Sequence, residues 1–363
     1  MTRDGPIRVV DLADDGGAFA GTLLAELGAT VIKPEPPGGA PGRRIGPFVE
    51  REEQAVGATS LFHLHYHGGK QIVPIDPSGG TTLNDLLAGA DLVLDDGSTG
   101  LLPAEIRPPD ALIRAFPNLS VVWISSFGLT GPRAGWRGTD LTTWAAGGAM
   151  WLMGAPDRAP LWAAGQARHL TGFWAAIGAL AAIRLHHQTG RGVIVDLSRQ
   201  EAVAAETGAG WLFAAYAGQA VRRSGKETHF TCPSPILRCR DGHLLVMTVV
   251  RRQWSALAAW LAEEGAADGL DDPKYNDITV RMADRAHIND TLARWATISD
   301  AELEDKLAAL SGERPSPETR TKARRLFAQV VDCPGGMKIQ TIHAFCQSLL
   351  RRFPLEARLP PHF

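Results

Sequence analysis

Ile7-Arg8-Val9-Val10-Asp11-Leu12-Ala13-Asp14-Asp15-Gly16-Gly17-Ala18-Phe19-Ala20-Gly21-Thr22-Leu23-Leu24-Ala25-Glu26-Leu27-Gly28-Ala29-Thr30-Val31-Ile32-Lys33 is the stretch whose reading decides the fold. Ile7 to Leu12 is an apolar run rich in β-branched residues, which suits a buried strand. Gly16-Gly17 opens a helix with Phe19, Leu23, Leu24 and Leu27 on one face, and Gly28 closes it. Ala29 to Lys33 is a second strand, and Pro34 to Gly42 a loop. Strand, helix and strand within about thirty residues make a crossover unit, which implies a parallel sheet covered by helices.

The pattern repeats downstream. Leu83–Leu87 and Ala111–Phe116 read as helices, Ala90–Leu94 and Leu119–Ser125 as strands. The expectation is an α/β fold with a doubly wound, Rossmann-like parallel sheet. Asp140–Met150 reads as a helix capped by Asp140, and Thr171–His187 as a helix whose alanines and glycines let another backbone approach. Val193–Leu197 is a strand, and Ser198-x-x-Glu201 is a capping box for a helix reaching Tyr216. A hairpin around Asp241-Gly242 and a helix over Gln253–Glu264 then suggest a second, smaller α+β domain. The expected domains are residues 1–217 (large), 218–291 (small) and 292–363, a foreign and mostly helical tail.

The chain has 363 residues, 45% of them hydrophobic and 21% charged, with a formal net charge of −2. This excludes intrinsic disorder and gives no whole-chain pull toward nucleic acid or anionic membrane. Cys232, Cys239, Cys333 and Cys346 form no Cys-x-x-Cys pair, and they read as reduced thiols of a cytoplasmic protein. Met1–Arg8 has no signal-peptide core, and the apolar helix near Phe173–Leu185 is too short to span a bilayer, so no membrane partner is expected.

Four motifs, in order, resemble the family III CoA-transferases of the CaiB/BaiF type over about residues 7–290. They are Val9–Lys33 continuing through Glu35-Pro36-Pro37-Gly38-Gly39; Gly69-Lys70-Gln71-Ile72 with Asp76; Asn118–Pro132 with Thr139-Asp140-Leu141; and Thr189-Gly190-Arg191-Gly192 with Asp196-Leu197-Ser198. The resemblance implies an enzyme that moves CoA from an acyl-CoA to a small free carboxylic acid through an aspartate, with no covalently bound cofactor and coenzyme A as substrate. It also implies a homodimer, and a further C-terminal segment of about a hundred residues that this chain would lack.

The resemblance puts the aspartate nucleophile at Arg168, whose guanidinium stays protonated and only donates hydrogen bonds. Arg168 could instead bind a carboxylate or phosphate, and the adjacent His169 could serve as nucleophile or base. Lys33, Arg43, Arg44 and Lys70 are candidate CoA-phosphate ligands beside strand ends, with Phe127, Gly128 and Asp140 completing a binding loop. Each cation could equally be a surface charge, and Asp140 a helix cap. His63-x-His65-x-His67 would place three imidazoles on one face of a strand, but no further ligand completes a metal site and none is expected.

Residues 292–363 carry a second resemblance. Thr291–Thr297, Gly312-Glu313-Arg314-Pro315, Arg324-Arg325-Leu326-Phe327 and above all Pro334–Cys346 look like the AddA-type double-strand-break repair helicase–nuclease subunit. Arg314, Arg320, Lys322, Arg324, Arg325, Lys338, Arg351, Arg352 and Arg358 outnumber Glu318, Asp332 and Glu356 there. No phosphate-binding loop is present to support ATP hydrolysis, Ser224-Gly225-Lys226-Glu227 being a near miss. The chain reads as a chimera. Its first functional reading is a CoA-transferase; the alternatives are a non-catalytic CoA-binding protein, an acyl-CoA racemase, and a fragment that meets single-stranded DNA through its basic tail. The resemblance implies that racemisation would use a histidine directly before the position of Asp140, where this chain has Thr139.

Overall fold

Val9 and Val10 are consecutive and both fully buried, so the strand that carries them is covered on both faces. The computed structural model describes residues 5–49, 59–75, 82–225, 228, 230–240 and 242–296. All belong to the first of the two units into which the chain divides, residues 1–313. The tail readings beyond residue 296, with Cys333 and Cys346, and the motif position Asp76 lie outside the described residues.

The described elements are, in order, β1 (Arg8–Asp11), α1 (Ala18–Glu26), β2 (Thr30–Glu35), the short antiparallel pair β3 (Phe48–Val49) and β4 (Thr59–Ser60), α2 (Leu61–His67), β5 (Gln71–Pro74), α3 (Leu83–Ala88), β6 (Leu92–Asp95), α4 (Pro109–Ala115) and β7 (Ser120–Ser125). There follow α5 (Asp140–Ala146), α6 (Ala149–Leu152), α7 (Gln166–Thr189), β8 (Ile194–Ser198), α8 (Arg199–Glu206) and α9 (Gly208–Ala217). Six strands form one parallel sheet in the order β5-β2-β1-β6-β7-β8. The chain winds outward from β1 to β5 and then returns to the other side of β1. The order therefore reverses between β1 and β6, and doubly wound sheets bind ligands in the crevice at the carboxyl ends of such strands.

The two faces follow the alternation of the strands. Val9, Leu92, Leu94, Val122 and Ile124 pack under α1 and α7, whereas Val10, Val93 and Val121 pack under α3 and α4. Each fully buried aliphatic side chain contributes about 1.5–3 kcal/mol to that core. α7 lies close to its neighbours because its buried face is small: Ala175, Ala176, Ala179 and Ala182. A Cβ at Gly172 would sit 2.6 Å from Phe19 Cβ, and one at Gly178 would sit 2.9 Å from Val195 Cγ1.

Three sequence expectations change here, the first being the helix over Asp140–Met150, which is two helices, α5 and α6, parted at Gly147-Gly148. The histidine segment forms α2 rather than a strand, because Ser60 caps it by accepting a hydrogen bond from the His63 amide. The helix expected from Ser198 to Tyr216 is two helices, α8 and α9, meeting at Thr207.

A second apolar core is built from β9 (Ile236–Arg238) and β10 (His243–Leu245), an antiparallel pair, with α10 (Arg251–Glu263), α11 (Ile278–Ala283) and α12 (Arg285–Trp295). Cys232 and Cys239 are buried in it as reduced thiols. Leu292, Trp295 and Ala296 belong to the same core, so the expected division at residues 291 and 292 falls within α12. No helix among the described residues is long and apolar enough to cross a membrane.

Candidate active site

The chain leaving β1 turns at Asp14-Asp15-Gly16-Gly17 into α1, directly at the crevice. Asp96, just past β6, pins that turn: its Oδ2 accepts from the amides of Asp15 (3.0 Å) and Gly17 (3.2 Å). Arg199, just past β8, reaches in from the far side of the sheet. A Cβ at Gly16 would lie 2.2 Å from Arg199 Nε, so only glycine lets the turn lie against that guanidinium.

Two guanidiniums converge on one carboxylate. Arg199 Nη1 donates to Asp15 Oδ2 at 2.7 Å, and Arg168 donates to Asp15 Oδ1 through Nε (3.0 Å) and Nη2 (2.9 Å). Arg199 is nearly buried at 9% side-chain exposure, Arg168 is at 20%, and Asp15 keeps 40%. Burial would raise the Asp15 pKa, but the charges of Arg199 and Arg168 outweigh it and hold the carboxylate below its usual range. Burial would likewise lower the Arg168 pKa, and Asp15 together with Tyr66 more than reverses that. Arg168 also stands over the rings of Phe62 (4.9 Å) and Tyr66 (5.6 Å).

Arg168 is placed by Asp140. The N-terminus of α7 has no side-chain cap from its own sequence, and Gly165 there is left-handed. Asp140 Oδ1 accepts from the Arg168 amide (3.0 Å), and Oδ2 accepts from the Gly165 amide (2.9 Å) and Trp162 Nε1 (3.0 Å). The cap of α5 is Thr139, whose side chain accepts from the Thr142 amide; Asp140 instead caps α7 from a distance.

His169, in the same turn, has both ring nitrogens engaged. Nδ1 donates to the Gly165 carbonyl at 2.9 Å, so Nε2 is the acceptor facing the Tyr66 hydroxyl at 3.1 Å. Burial lowers the His169 pKa and favours this neutral form.

Lys33 and Lys70 are in the interior, away from any position where a solvent-borne phosphate could meet them. Lys33 is 0% exposed, donates to the Ala13 carbonyl at 2.7 Å and faces Asp14 at 3.5 Å. Lys70 donates to Asp11 Oδ2 (2.6 Å) and the Ala18 carbonyl (2.7 Å), and burial depresses its pKa. His67 Nε2 lies 2.7 Å from Asp14 Oδ1. Burial opposes ionisation of Asp14, but His67 and Lys33 outweigh it and bring its pKa down to about 2. These groups brace the β1–α1 turn from below.

Arg43 is half-exposed and bonded to Glu35 (2.8 Å), and Arg44 is exposed beside it. Phe127 packs edge-on to Trp136, and Gly128 is a left-handed turn residue whose amide donates to Ser125 Oγ. The structure thus brings Arg168, His169 and Asp140 together, and places Lys33 and Lys70 in a separate buried cluster. Within α2, His63 and His67 share a face with ring centroids 4.8 Å apart while His65 turns toward Phe19 and His169. Among the described residues no group of three histidine, cysteine or acidic side chains is arranged to hold a metal.

Sequence reasoning missed Asp15, Arg199 and Tyr66. A signal for Asp15 was present: an acidic pair and a glycine pair directly at a strand's carboxyl end.

The family model for CoA-transferase family III matches residues 6–313. The chain belongs to this family. The match runs past residue 292, where the tail's other resemblance begins. The chain is similar to the succinyl-CoA:(R)-benzylsuccinate CoA-transferase subunit BbsE of Thauera aromatica, 32% identical over 291 residues that cover 77% of this chain and 69% of that protein. It is 33% identical over 287 residues to the probable CoA-transferase Rv1866 of Mycobacterium tuberculosis, covering 76% of this chain but 35% of that relative, so it spans about a third of Rv1866. Among solved structures, a CAIB/BAIF family protein from Brucella suis superposes with a TM-score of 0.68 at 26% identity, covering 84% of this chain and 80% of that one. The family III CoA-transferase fold accounts for the six-stranded parallel sheet that carries the site.

Proposed function

We propose that this family III protein moves CoA between an acyl-CoA thioester and a free carboxylic acid in the crevice formed by Asp15, Arg168 and Arg199. The observation that carries the reading is the convergence of two fixed guanidiniums on one point of that crevice. Thioester exchange passes negative charge from a carboxylate to a tetrahedral oxyanion and then to a thiolate. Prepositioned cations stabilise all three without reorganising. The name of the BbsE relative suggests succinyl-CoA as donor. Arg43 and Arg44, both solvent-exposed, are the candidate ligands for the phosphates of CoA, with Phe127 and Gly128 as further candidates; Asp140 acts by holding α7.

A homodimer is the proposed assembly. On α9, Trp211, Leu212 and Tyr216 expose large apolar surface, Tyr216 to 84%. Such a patch suits burial against a second copy.

Arg168 favours one second reading, a CoA-binding protein without transfer. If the family's aspartate position is Arg168, that side chain cannot be acylated, since its guanidinium remains protonated. Racemisation has less to stand on, because Thr139 is committed to capping α5. The test is incubation with succinyl-CoA and a panel of carboxylic acids, with products read by mass spectrometry. Formation of a new acyl-CoA is expected. CoA binding without any new thioester would replace the transferase reading with the binding one.

A further inference from the structure

We infer that Asp15 is the carboxylate that accepts the acyl group and then CoA in this chain, taking by position the part that Arg168 cannot take by chemistry. The inference rests on the transferase reading above. Arg168 has no nucleophilic lone pair, and both nitrogens of His169 are engaged by Gly165 and Tyr66. Asp140 is tied to the Gly165 and Arg168 amides at the start of α7, so its acylation would break the cap that places Arg168. Asp96 is buried under the turn, its Oδ2 accepting two amides. Asp15 has both oxygens engaged as well, but by the two guanidiniums rather than by backbone amides, and its side chain is 40% exposed on a turn that Gly16 lets rest against Arg199.

Two ion pairs keep Asp15 ionised, and they also supply what its reaction needs. As an Asp15 oxygen attacks the thioester carbonyl, negative charge leaves Asp15 and appears on the substrate oxygen. Arg168 and Arg199 are then free to pair with it. The C–S bond breaks, CoA leaves as thiolate, and a mixed anhydride joins Asp15 to the acyl group. The thiolate attacks Asp15 Cγ, expelling the donor acid as carboxylate and leaving Asp15 as a CoA thioester. The acceptor carboxylate attacks the same carbon and expels the thiolate. The thiolate then attacks the acceptor's acyl carbon, releasing the new acyl-CoA and the Asp15 carboxylate. No proton or electron is gained or lost, and no oxidant or reductant takes part.

The test treats the wild-type chain with succinyl-CoA, reduces any enzyme thioester with borohydride and maps the peptides. The alcohol derivative is expected in the tryptic peptide Val9–Arg43, with fragmentation placing it on Asp15 rather than Asp11 or Asp14. In parallel, Asp15→Asn is expected to lower transfer by roughly a thousandfold or more. Asp15→Glu, which keeps a carboxylate, retains a trappable thioester. An adduct on another residue, or an Asp15→Asn chain that still transfers CoA, overturns the assignment while leaving the transferase reading intact. A wild-type chain that binds succinyl-CoA but neither transfers CoA nor forms any adduct overturns both.

Discussion

Replacing Asp140 by alanine removes a helix cap that belongs to another part of the chain. Three donors lose their acceptor at once: the amides of Gly165 and Arg168 and the indole of Trp162. Loss of a side-chain cap costs about 0.5–2 kcal/mol. Loss of a carboxylate from a helix N-terminus adds about 0.3–1 kcal/mol. Trp162 is half-exposed, at 47%, and its bond adds little because water replaces it. The first turn of α7 therefore opens about 1–3 kcal/mol more easily, and its amides exchange roughly 5- to 150-fold faster, at 1.36 kcal/mol per tenfold. Hydrogen-exchange mass spectrometry on a peptide spanning residues 162–170 reads this directly. Asp140→Asn, which keeps one acceptor oxygen, should show about half the free-energy change. The effect should be local, because Ala175 to Ala182 on the same helix stay packed in the sheet's core. Unchanged exchange at residues 165–169 in Asp140→Ala would refute the capping role. Equally fast exchange throughout β1 and β7 would show instead that Asp140 supports the whole fold.

Other perturbations probe the ground beneath the site. Asp95 is 3% exposed, and burial raises its pKa from 3.8 to about 7. A carboxyl whose folded pKa is raised contributes stability that is complete below about pH 4 and lost as pH rises through about 7. Asp95→Asn should then match wild type in urea unfolding near pH 4 and exceed it by about 2–4 kcal/mol at pH 8; a constant difference at both pH values would contradict the buried neutral carboxyl. Lys70→Met strands the buried Asp11 carboxylate and should cost about 3–5 kcal/mol, so a loss below about 1 kcal/mol would show that the pair is not desolvated. Gly172→Ala drives a methyl into Phe19 and should cost about 1–3 kcal/mol, measured by thermal unfolding; an unchanged melting temperature would show that α1 and α7 can separate without loss.

Residues 7–33 made the fold readable because the strand period, the helix period and the closing glycine agree within one short segment. The site was less readable for a geometric reason. Asp15 and Arg168 lie 153 positions apart, and Asp15 and Arg199 184 apart. They meet because β1 and β8 run parallel with their carboxyl ends on one side. Lys33 lies within β2 and Lys70 directly before β5, and nothing local shows that Asp11 and Asp14 would draw them inside. In the segment from Leu61 to His67, alternation suggested a strand; the Ser60 cap, with His63 and His67 four residues apart, was the signal for a helix.

Exchange of an isotopically labelled carboxylic acid into its own unlabelled CoA thioester tests the transferase reading most directly, since it requires no knowledge of the natural acceptor. With succinate and succinyl-CoA, label should enter the thioester at a rate proportional to the amount of protein. A chain that binds succinyl-CoA in a calorimeter yet leaves the thioester unlabelled would contradict CoA transfer at this site.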